Sequence, residues 1–221
     1  MAKHRADERA PDHGHDHAPP PEETGPEYWD ERYREHHAMW SGNPNAQLEI
    51  EASKLAPGRA LEVGAGEGAD AIWLADHGWT VTAVDISQVA LDRARGHAGD
   101  RAITWLQADL LEWTPPVEGF DLVSAQYFHL EEPDFTRAMM TLASAVARGG
   151  TLLVAGHAPV HLDFGDHRHG MLLTPAEIRA VLAEAPGEWE TITAETRTRP
   201  AVEHPSGQTE LTDAVVVIKR H

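Results

Sequence analysis

A chain of 221 residues is long enough for one α/β domain, and its 36 acidic against 18 basic side chains give a formal net charge of −18. An acidic surface repels phosphate backbones, so we expect no nucleic-acid partner. Cysteine is absent, which excludes disulfides and thiolate catalysis by the protein itself. Residues 1–27 lack a signal-peptide core and no apolar run could span a bilayer, so we predict a cytoplasmic protein without a membrane partner.

The first 26 residues are charged and rich in proline and histidine, which is typical of a disordered tail. We expect residues 27–221 to form the folded domain, with residues 27–56 as an N-terminal helical lid. Histidine and aspartate cluster in the tail, where no rigid element would fix the geometry of metal ligands, and again in residues 157–169, where the spacing matches no standard zinc pattern. We therefore predict no resident metal, and a metal-handling protein is only an alternative.

The lid is predicted from aromatic residues at near-helical spacing within residues 27–40. Tyr28, Trp29 and Arg32 are candidate substrate contacts on this amphipathic helix, and Trp40 at its end is a candidate cofactor contact. The alternative is that these side chains only fasten the helix to the domain.

The chain is organised around residues 59–70, which have the pattern of a buried strand, a glycine turn and the start of a helix. Gly64, Gly66 and Gly68 lack a Cβ, so the backbone can turn tightly and let a ligand approach its N–H groups. The helix that begins near Gly68 directs its N-terminus at the same ligand. We predict a nucleotide-cofactor cradle in which these glycines and Ala65 contact the cofactor.

The glycines also fit the dinucleotide pattern, so an NAD(P)-binding oxidoreductase is an alternative. Three features favour a different nucleoside. Glu62 ends the first strand, where its carboxylate can attract an ammonium group. Asp109 closes the third strand. Residues 189–199 and 214–218 should pair as antiparallel strands, because the connection between them is too short for a crossover helix.

The rest of the chain alternates between strand and helix patterns, which predicts a doubly wound α/β sheet. The strands after the first are predicted at residues 80–84, 103–108, 120–126, 151–156, 189–199 and 214–218. The helices after the lid helix are predicted at residues 45–55, 68–77, 87–99, 133–147 and from 174 to about 185.

Polar residues follow several predicted strands, at the edge where open α/β sheets bind ligands. Asp85 should accept the ribose hydroxyls, although a helix N-cap is its alternative role. Ile86 should lie against the adenine face. Asp109 and the backbone N–H of Leu110 should bind the adenine edge, although Asp109 could instead form a turn. Gln126 should line the crevice beside the reactive end of the cofactor.

The acceptor side of the crevice should follow the fourth and fifth strands. Tyr127 and His129 are the catalytic candidates there, because a histidine can act as a general base near neutral pH. Packed or solvent-facing loop positions are the alternative for both residues. His157 follows the fifth strand and is a candidate substrate contact.

Three segments in order resemble the class I S-adenosylmethionine (SAM) methyltransferases: Glu-Val-Gly-Ala-Gly-Glu-Gly (62–68), Val-Asp-Ile-Ser (84–87) and Ala-Asp-Leu (108–110). The resemblance covers roughly residues 27–221. It implies a Rossmann-like, seven-stranded, mostly parallel sheet of order 3-2-1-4-5-7-6, with the last strand antiparallel and helices on both faces. It also implies SAM as the cofactor and S-adenosylhomocysteine (SAH) as its product.

The N-terminal string Tyr-Trp-x-x-Arg-Tyr, followed by Trp-Ser-Gly-x-Pro-Asn, resembles the lid of the bacterial thiopurine and tellurite-resistance methyltransferases. This resemblance implies that Tyr28, Trp29, Arg32 and Trp40 help to enclose cofactor and substrate.

The predicted function is methyl transfer from SAM to a small molecule, with a soft thiol, selenium or tellurium acceptor as the leading class. An O- or C-methyltransferase of a quinone or natural product, with His129 as base, is the alternative. The Gln-Tyr-Phe-His stretch at 126–129 differs from the Asn/Asp-Pro-Pro-Tyr signatures of the DNA- and protein-methylating branches. The oligomeric state is open between monomer and homodimer.

Overall fold

The computed structural model describes residues 25–128, 130–159, 174–200 and 209–221. Within these ranges the chain alternates between helices and strands. The helices are α1 (Pro26–Glu35), α2 (Ala46–Ala52), α3 (Ala69–Asp76), α4 (Gln88–Ala98), α5 (Asp134–Ala145) and α6 (Pro175–Leu182). The strands are β1 (Arg59–Val63), β2 (Thr80–Asp85), β3 (Ile103–Gln107), β4 (Phe120–Gln126), β5 (Val146–His157), β6 (Trp189–Pro200) and β7 (Glu210–Arg220).

The seven strands form one sheet in the order β3-β2-β1-β4-β5-β7-β6. Strands β1 to β5 pair in parallel, whereas β7 pairs antiparallel with β5 and with β6. The predicted fold class and strand order are therefore confirmed. This topology brings the carboxyl ends of β1, β2, β4, β5 and β6 to the same edge as the start of β7.

The sheet is covered on both faces because its central strands are apolar on both sides. Leu61 and Val63 of β1 pack into one core layer with α5 and α6, while Ala60 packs into the other with α2 and α3. No helix in the described ranges is long and apolar enough to cross a membrane.

Several predicted boundaries were wrong: β7 begins at Glu210 rather than residue 214, α2 ends at Ala52 rather than residue 55, and two further cases have an identifiable cause. Helix α1 ends at Glu35 rather than near Trp40, because the chain then turns so that the N–H groups of Met39 and Trp40 donate to the Glu67 carboxylate. Strand β5 begins at Val146 rather than Thr151, because Val146 pairs with Phe120 of β4 across an irregularity in the register.

Candidate functional site

The glycine turn after β1 adopts the left-handed backbone that its sequence predicts, with φ of +70° at Gly64, +52° at Gly66 and +90° at Gly68. Its N–H groups, however, donate within the protein. Those of Gly64 and Ala65 donate to the Val84 carbonyl at 2.9 and 3.0 Å. The N–H of Gly66 donates to the Asp85 carboxylate at 2.7 Å. These three N–H groups are therefore already used within the protein, and what the turn offers a ligand is close access to backbone atoms.

Gly68 also lets two helices and a strand approach one another. A Cβ at this position would lie 2.8 Å from the Cβ of Ala94 on α4 and 2.8 Å from Cη2 of Trp105 on β3. The absence of a side chain at Gly68 thus sets how closely the start of α3 packs against α4 and β3.

Asp85 ties the first two strand ends together. Its carboxylate accepts from the N–H of Gly66 at 2.7 Å and from the N–H of Ser87 at 2.8 Å. Burial raises the pKa of Asp85, although these two hydrogen bonds oppose the rise. The alternative role as helix N-cap was wrong, because the Ser87 hydroxyl caps α4 by accepting from the N–H of Ala90.

A cavity of about 410 Å³ lies beside the ends of β2 and β3. Ile86 and Asp109, the two side chains predicted to contact the adenine, both line it. The other lining residues are Pro26, Gln107, Ala108 and Glu112.

Asp109 also forms a turn, because one of its carboxylate oxygens accepts from the N–H of Leu111 at 2.9 Å. The side chain of Leu110 is buried in the core. Sequence reasoning missed Pro26 and Glu112, since nothing local places the start of α1 next to the turn after β3.

Two buried oxygens at the ends of β1 and β4 have no hydrogen-bond partner among the described residues. They are Oε2 of Glu62, a side chain that is 1% exposed, and Oε1 of Gln126. The two strands are adjacent, with Glu62 opposite Ser124 and Gln126 two residues further on. Burial, and next the nearby Asp70 carboxylate, raises the pKa of Glu62 well above its ordinary value. Buried acceptors without donors are costly, so this pair fits a ligand that brings donors or a positive charge.

The segment before β1 is anchored on α4 and on the glycine turn. Asp30 of α1 accepts from the hydroxyl of Ser87 at 2.6 Å and from the N–H of Val89 at 3.1 Å. Glu67 accepts from Met39 and Trp40 and pairs with Arg93 at 2.9 Å. These ties place the N-terminal segment beside the cradle.

Trp40 lies directly over the glycine turn. Its indole nitrogen donates to the hydroxyl of buried Tyr33 at 2.9 Å, and a Cβ on Gly66 would come within 3.0 Å of that hydroxyl and 3.3 Å of the indole nitrogen. Tyr33, like Glu67 and Arg93, was missed from the sequence because its role depends on contacts between distant segments.

The three substrate candidates on α1 contact one another. The Arg32 guanidinium lies 5.5 Å from the ring centre of Tyr28 and 5.7 Å from that of Trp29, and it donates to the Tyr28 hydroxyl at 2.8 Å. Cation–π contacts of this kind hold the three side chains as one group on α1.

A second polar group lies at the ends of β4 and β5. The rings of Tyr127 and His157 are 4.6 Å apart between centres and tilted by 49°. Tyr127 has a φ of +53°, which is uncommon for a residue with a Cβ. His129, the predicted base, lies outside the described residues, as do residues 160–173 of the second histidine-rich stretch.

The centre of this second group is Asp213 of β7, whose side chain is fully buried. One oxygen accepts from Arg199 at 2.7 Å and from Gln47 at 3.1 Å, and the other lies 3.6 Å from Nδ1 of His157. Although burial acts to raise the pKa of Asp213, the neighbouring His157 imidazole and the hydrogen-bonded Arg199 guanidinium hold that pKa below its usual value.

Tyr127 completes the group as a neutral phenol. Burial, and next the Asp213 charge, raises the pKa of Tyr127, so its hydroxyl stays protonated and cannot be the base. That hydroxyl also accepts from Nε of Arg199 at 3.2 Å.

Sequence reasoning missed Asp213, Arg199 and Gln47. A charged residue at the start of the apolar run 214–218 was the one local signal for Asp213. Across the described residues, no group of three histidine, aspartate or glutamate side chains could hold a metal ion.

The segment from β1 to the start of β5 is similar to known methyltransferases. Residues 60–150 match a family model described as a methyltransferase domain. The match includes β1, the glycine turn and the ends of β2, β3 and β4, and therefore most of the predicted cofactor contacts.

Curated relatives and solved structures point the same way. An uncharacterized methyltransferase of Mycobacterium tuberculosis is 36% identical over 118 residues, which are 52% of this chain and 59% of the relative. A ubiquinone biosynthesis O-methyltransferase of Coxiella burnetii is 32% identical over 94 residues, 42% of this chain and 40% of that protein. The chain thus spans less than two thirds of the length of these relatives.

A solved protein described in connection with conversion of a disulfide bond into a thioacetal group during echinomycin biosynthesis superposes with a TM-score of 0.71. It is 22% identical, and the superposition covers 88% of this chain and 91% of that one. This likeness supports the fold.

Proposed function

We propose that the chain is a SAM-dependent methyltransferase that acts on a small-molecule acceptor. The observation that carries the proposal is the pair of unpartnered buried oxygens of Glu62 and Gln126, which lie beside the glycine turn in a segment that matches a methyltransferase domain. A ligand with an ammonium group satisfies these oxygens.

The surrounding residues fit the rest of SAM. Ile86 and Asp109 in the cavity would hold the adenine, and Asp85 would hold the ribose through lone pairs that its two backbone bonds leave available. Gly64, Gly66 and Gly68 would give the ligand close access to the backbone, with Ala65 beside them. Trp40 would cover the opening as part of the lid, residues 27–56.

When bound, SAM supplies a methyl group already activated as a sulfonium, so the protein chiefly positions the acceptor and excludes water. The antiparallel pairing of β5, β7 and β6 replaces the second mononucleotide half that a dinucleotide enzyme uses, which disfavours the NAD(P) alternative. The Tyr28, Trp29 and Arg32 group would contact the acceptor from the lid.

The acceptor class separates two candidate functions. A soft thiol, selenium or tellurium acceptor needs no base, and the resemblance of the N-terminal segment supports it. A hydroxyl acceptor needs a base, and the polar group around His157, together with the similarity to a ubiquinone biosynthesis O-methyltransferase, supports that second candidate.

Replacing Asp85 with alanine should weaken SAH binding by at least about tenfold, because a charge-assisted hydrogen bond to the ribose is lost. Isothermal calorimetry with SAH measures this directly. The matched control is Asp121→Ala, which removes a carboxylate that accepts from Arg59 at the far ends of the strands and should leave affinity unchanged. Equal affinity in Asp85→Ala would remove the ribose assignment, and absence of SAH binding by the unmodified protein would overturn the proposed function.

A further inference from the structure

Arg32 on α1 is a part-buried cation without an anionic partner. Most arginines and lysines in the described ranges form an ion pair with a carboxylate. The exceptions are Arg32, Arg148, Arg179 and Lys219, and all of them except Arg32 are exposed. In a chain with a net charge of −18, a part-buried guanidinium that no carboxylate neutralises is a place where an anion can bind.

The Arg32 guanidinium has N–H groups that the protein does not use. Its one side-chain hydrogen bond among the described residues runs from Nη1 to the Tyr28 hydroxyl at 2.8 Å. Nε is buried without a partner, and Nη2 has no acceptor among these residues. The rings of Tyr28 and Trp29 attract the positive charge, but they supply no acceptor oxygen to its N–H groups. A ligand with acceptor oxygens would therefore be bound by Nη2.

The Tyr28 hydroxyl is a second donor beside the guanidinium. Because this hydroxyl accepts from Nη1 of Arg32, its own proton is available to another acceptor. The rings of Tyr28 and Trp29 meet edge to face, with centres 5.5 Å apart and planes at 81°. Next to these rings, a charge-assisted hydrogen bond is screened less by water than at an open surface. Two donors beside two aromatic rings match a carboxylate attached to an apolar body.

Helix α1 holds this group beside the crevice. Pro26, at the start of the helix, lines the cavity at the ends of β2 and β3. Further along α1, the ring of Trp29 lies 6.4 Å from that of Tyr33, and a Cβ on Gly66 would come within 3.0 Å of the Tyr33 hydroxyl. The group thus lies on a helix that runs from the cavity to the glycine turn, next to the position proposed for SAM.

We propose that Arg32, together with Tyr28, binds a carboxylate of the methyl acceptor, so that the acceptor is an anionic small molecule with an apolar body next to its carboxylate. The inference rests on the proposed function and deepens it by naming a substrate class. Arg32 is a specificity-determining residue that holds one end of the acceptor and takes no part in the transfer of the methyl group. SAM also carries a carboxylate, and the experiment distinguishes the two sources.

Calorimetry with simple carboxylates tests the site without turnover. Benzoate, indole-3-carboxylate and octanoate are titrated into the SAH-loaded protein, each against its neutral amide. We expect at least one carboxylate to bind about tenfold more tightly than its amide, and we expect this preference to shrink as NaCl is raised from about 50 to about 500 mM. Arg32→Gln should remove the preference and leave the affinity for the amides within about twofold. Arg32→Lys keeps the charge but loses the planar fork, so it should retain part of the preference.

Arg34→Gln is the matched control. Arg34 is on the same helix, its side chain is 62% exposed and it pairs with Asp30, so its substitution should leave the carboxylate preference unchanged. Thermal unfolding of each variant shows whether the fold is kept, and the salt dependence tests the unmodified protein without any substitution.

Three results would overturn the inference. The first is equal affinity for every carboxylate and its amide in the unmodified protein, and the second is a preference that survives in folded Arg32→Gln. The third is weaker SAH binding in folded Arg32→Gln, because the guanidinium would then hold the carboxylate of the cofactor. SAH is also titrated alone: absence of SAH binding by the unmodified protein overturns the proposed function, whereas full SAH binding without a carboxylate preference overturns this inference only.

Discussion

Gly68→Ala should destabilise the domain by about 3 kcal/mol, because the substitution combines an unfavourable left-handed backbone with overpacking. Gly68 has a φ of +90°, and its Cβ would stand 2.8 Å from both Ala94 and Trp105. These neighbours are a short side chain and a packed indole, so neither can move without shifting α4 or β3. Urea unfolding followed by circular dichroism measures the change.

Two glycines separate the contributions. Gly42 has a φ of +74°, but a Cβ at this position would have nothing within 4 Å, so Gly42→Ala should cost only the backbone component of about 1 kcal/mol. Gly96 is an exposed residue of α4 with open space around it, and Gly96→Ala should stabilise the protein by about 0.5–1 kcal/mol. A Gly68→Ala effect no larger than that of Gly42→Ala would show that the packing around the turn is looser than described.

Glu62→Gln should raise the stability of the ligand-free protein by about 1–2 kcal/mol at pH 7.5 and weaken SAH binding by about tenfold or more. The stabilisation is expected because Glu62 is buried with an unpartnered oxygen. The loss of affinity is expected because the ammonium group of SAH no longer faces the Glu62 carboxylate. Chemical unfolding without ligand and calorimetry with SAH measure the two effects.

The dependence on pH has a defined sign. Between the ordinary pKa of a glutamate and the raised pKa of Glu62, the folded protein keeps a proton that the unfolded chain has lost. The free energy of unfolding therefore falls as the pH rises through this interval, and it should fall less steeply in Glu62→Gln.

Glu51→Gln is the matched control for Glu62→Gln. Glu51 is also buried, but ion pairs with Lys54 at 2.9 Å and Arg197 at 2.6 Å hold its pKa below the usual value despite that burial. Its substitution should destabilise the protein. The same sign of effect in both variants would contradict the view that Oε2 of Glu62 has no hydrogen-bond partner among the described residues of the ligand-free protein.

The fold could be predicted because its signals are local. The apolar strand 61–63, the glycines after it and the carboxylate at 85 each depend on neighbours in sequence, and residues 120–126 form β4 with the bounds that the sequence predicted. The reversed end of the sheet followed from the short connection between the last two strands. Boundaries failed where a distant contact decided them, as at Glu35, where Glu67 captures the chain that follows.

The polar group around Asp213 could not be predicted in the same way, because it depends on the register of the strands. Gln47 and Asp213 are 166 positions apart, and Tyr127 and Arg199 are 72 apart. Which residue of β7 lies opposite His157 is set by the antiparallel pairing of β5 and β7, and a slip of one residue would point Asp213 to the other face. Nothing in the sequence indicated that these distant residues contact one another.

The position of Trp40 makes its fluorescence a means of detecting ligand binding. Its indole is 56% exposed and lies over Gly66, where a nucleoside on the glycine turn would change its surroundings. Emission from this ring can therefore report occupancy of the cradle without an attached dye. The chain has seven tryptophans, so subtracting the emission spectrum of Trp40→Phe isolates the signal of Trp40. The difference spectrum can then be followed as ligand is added.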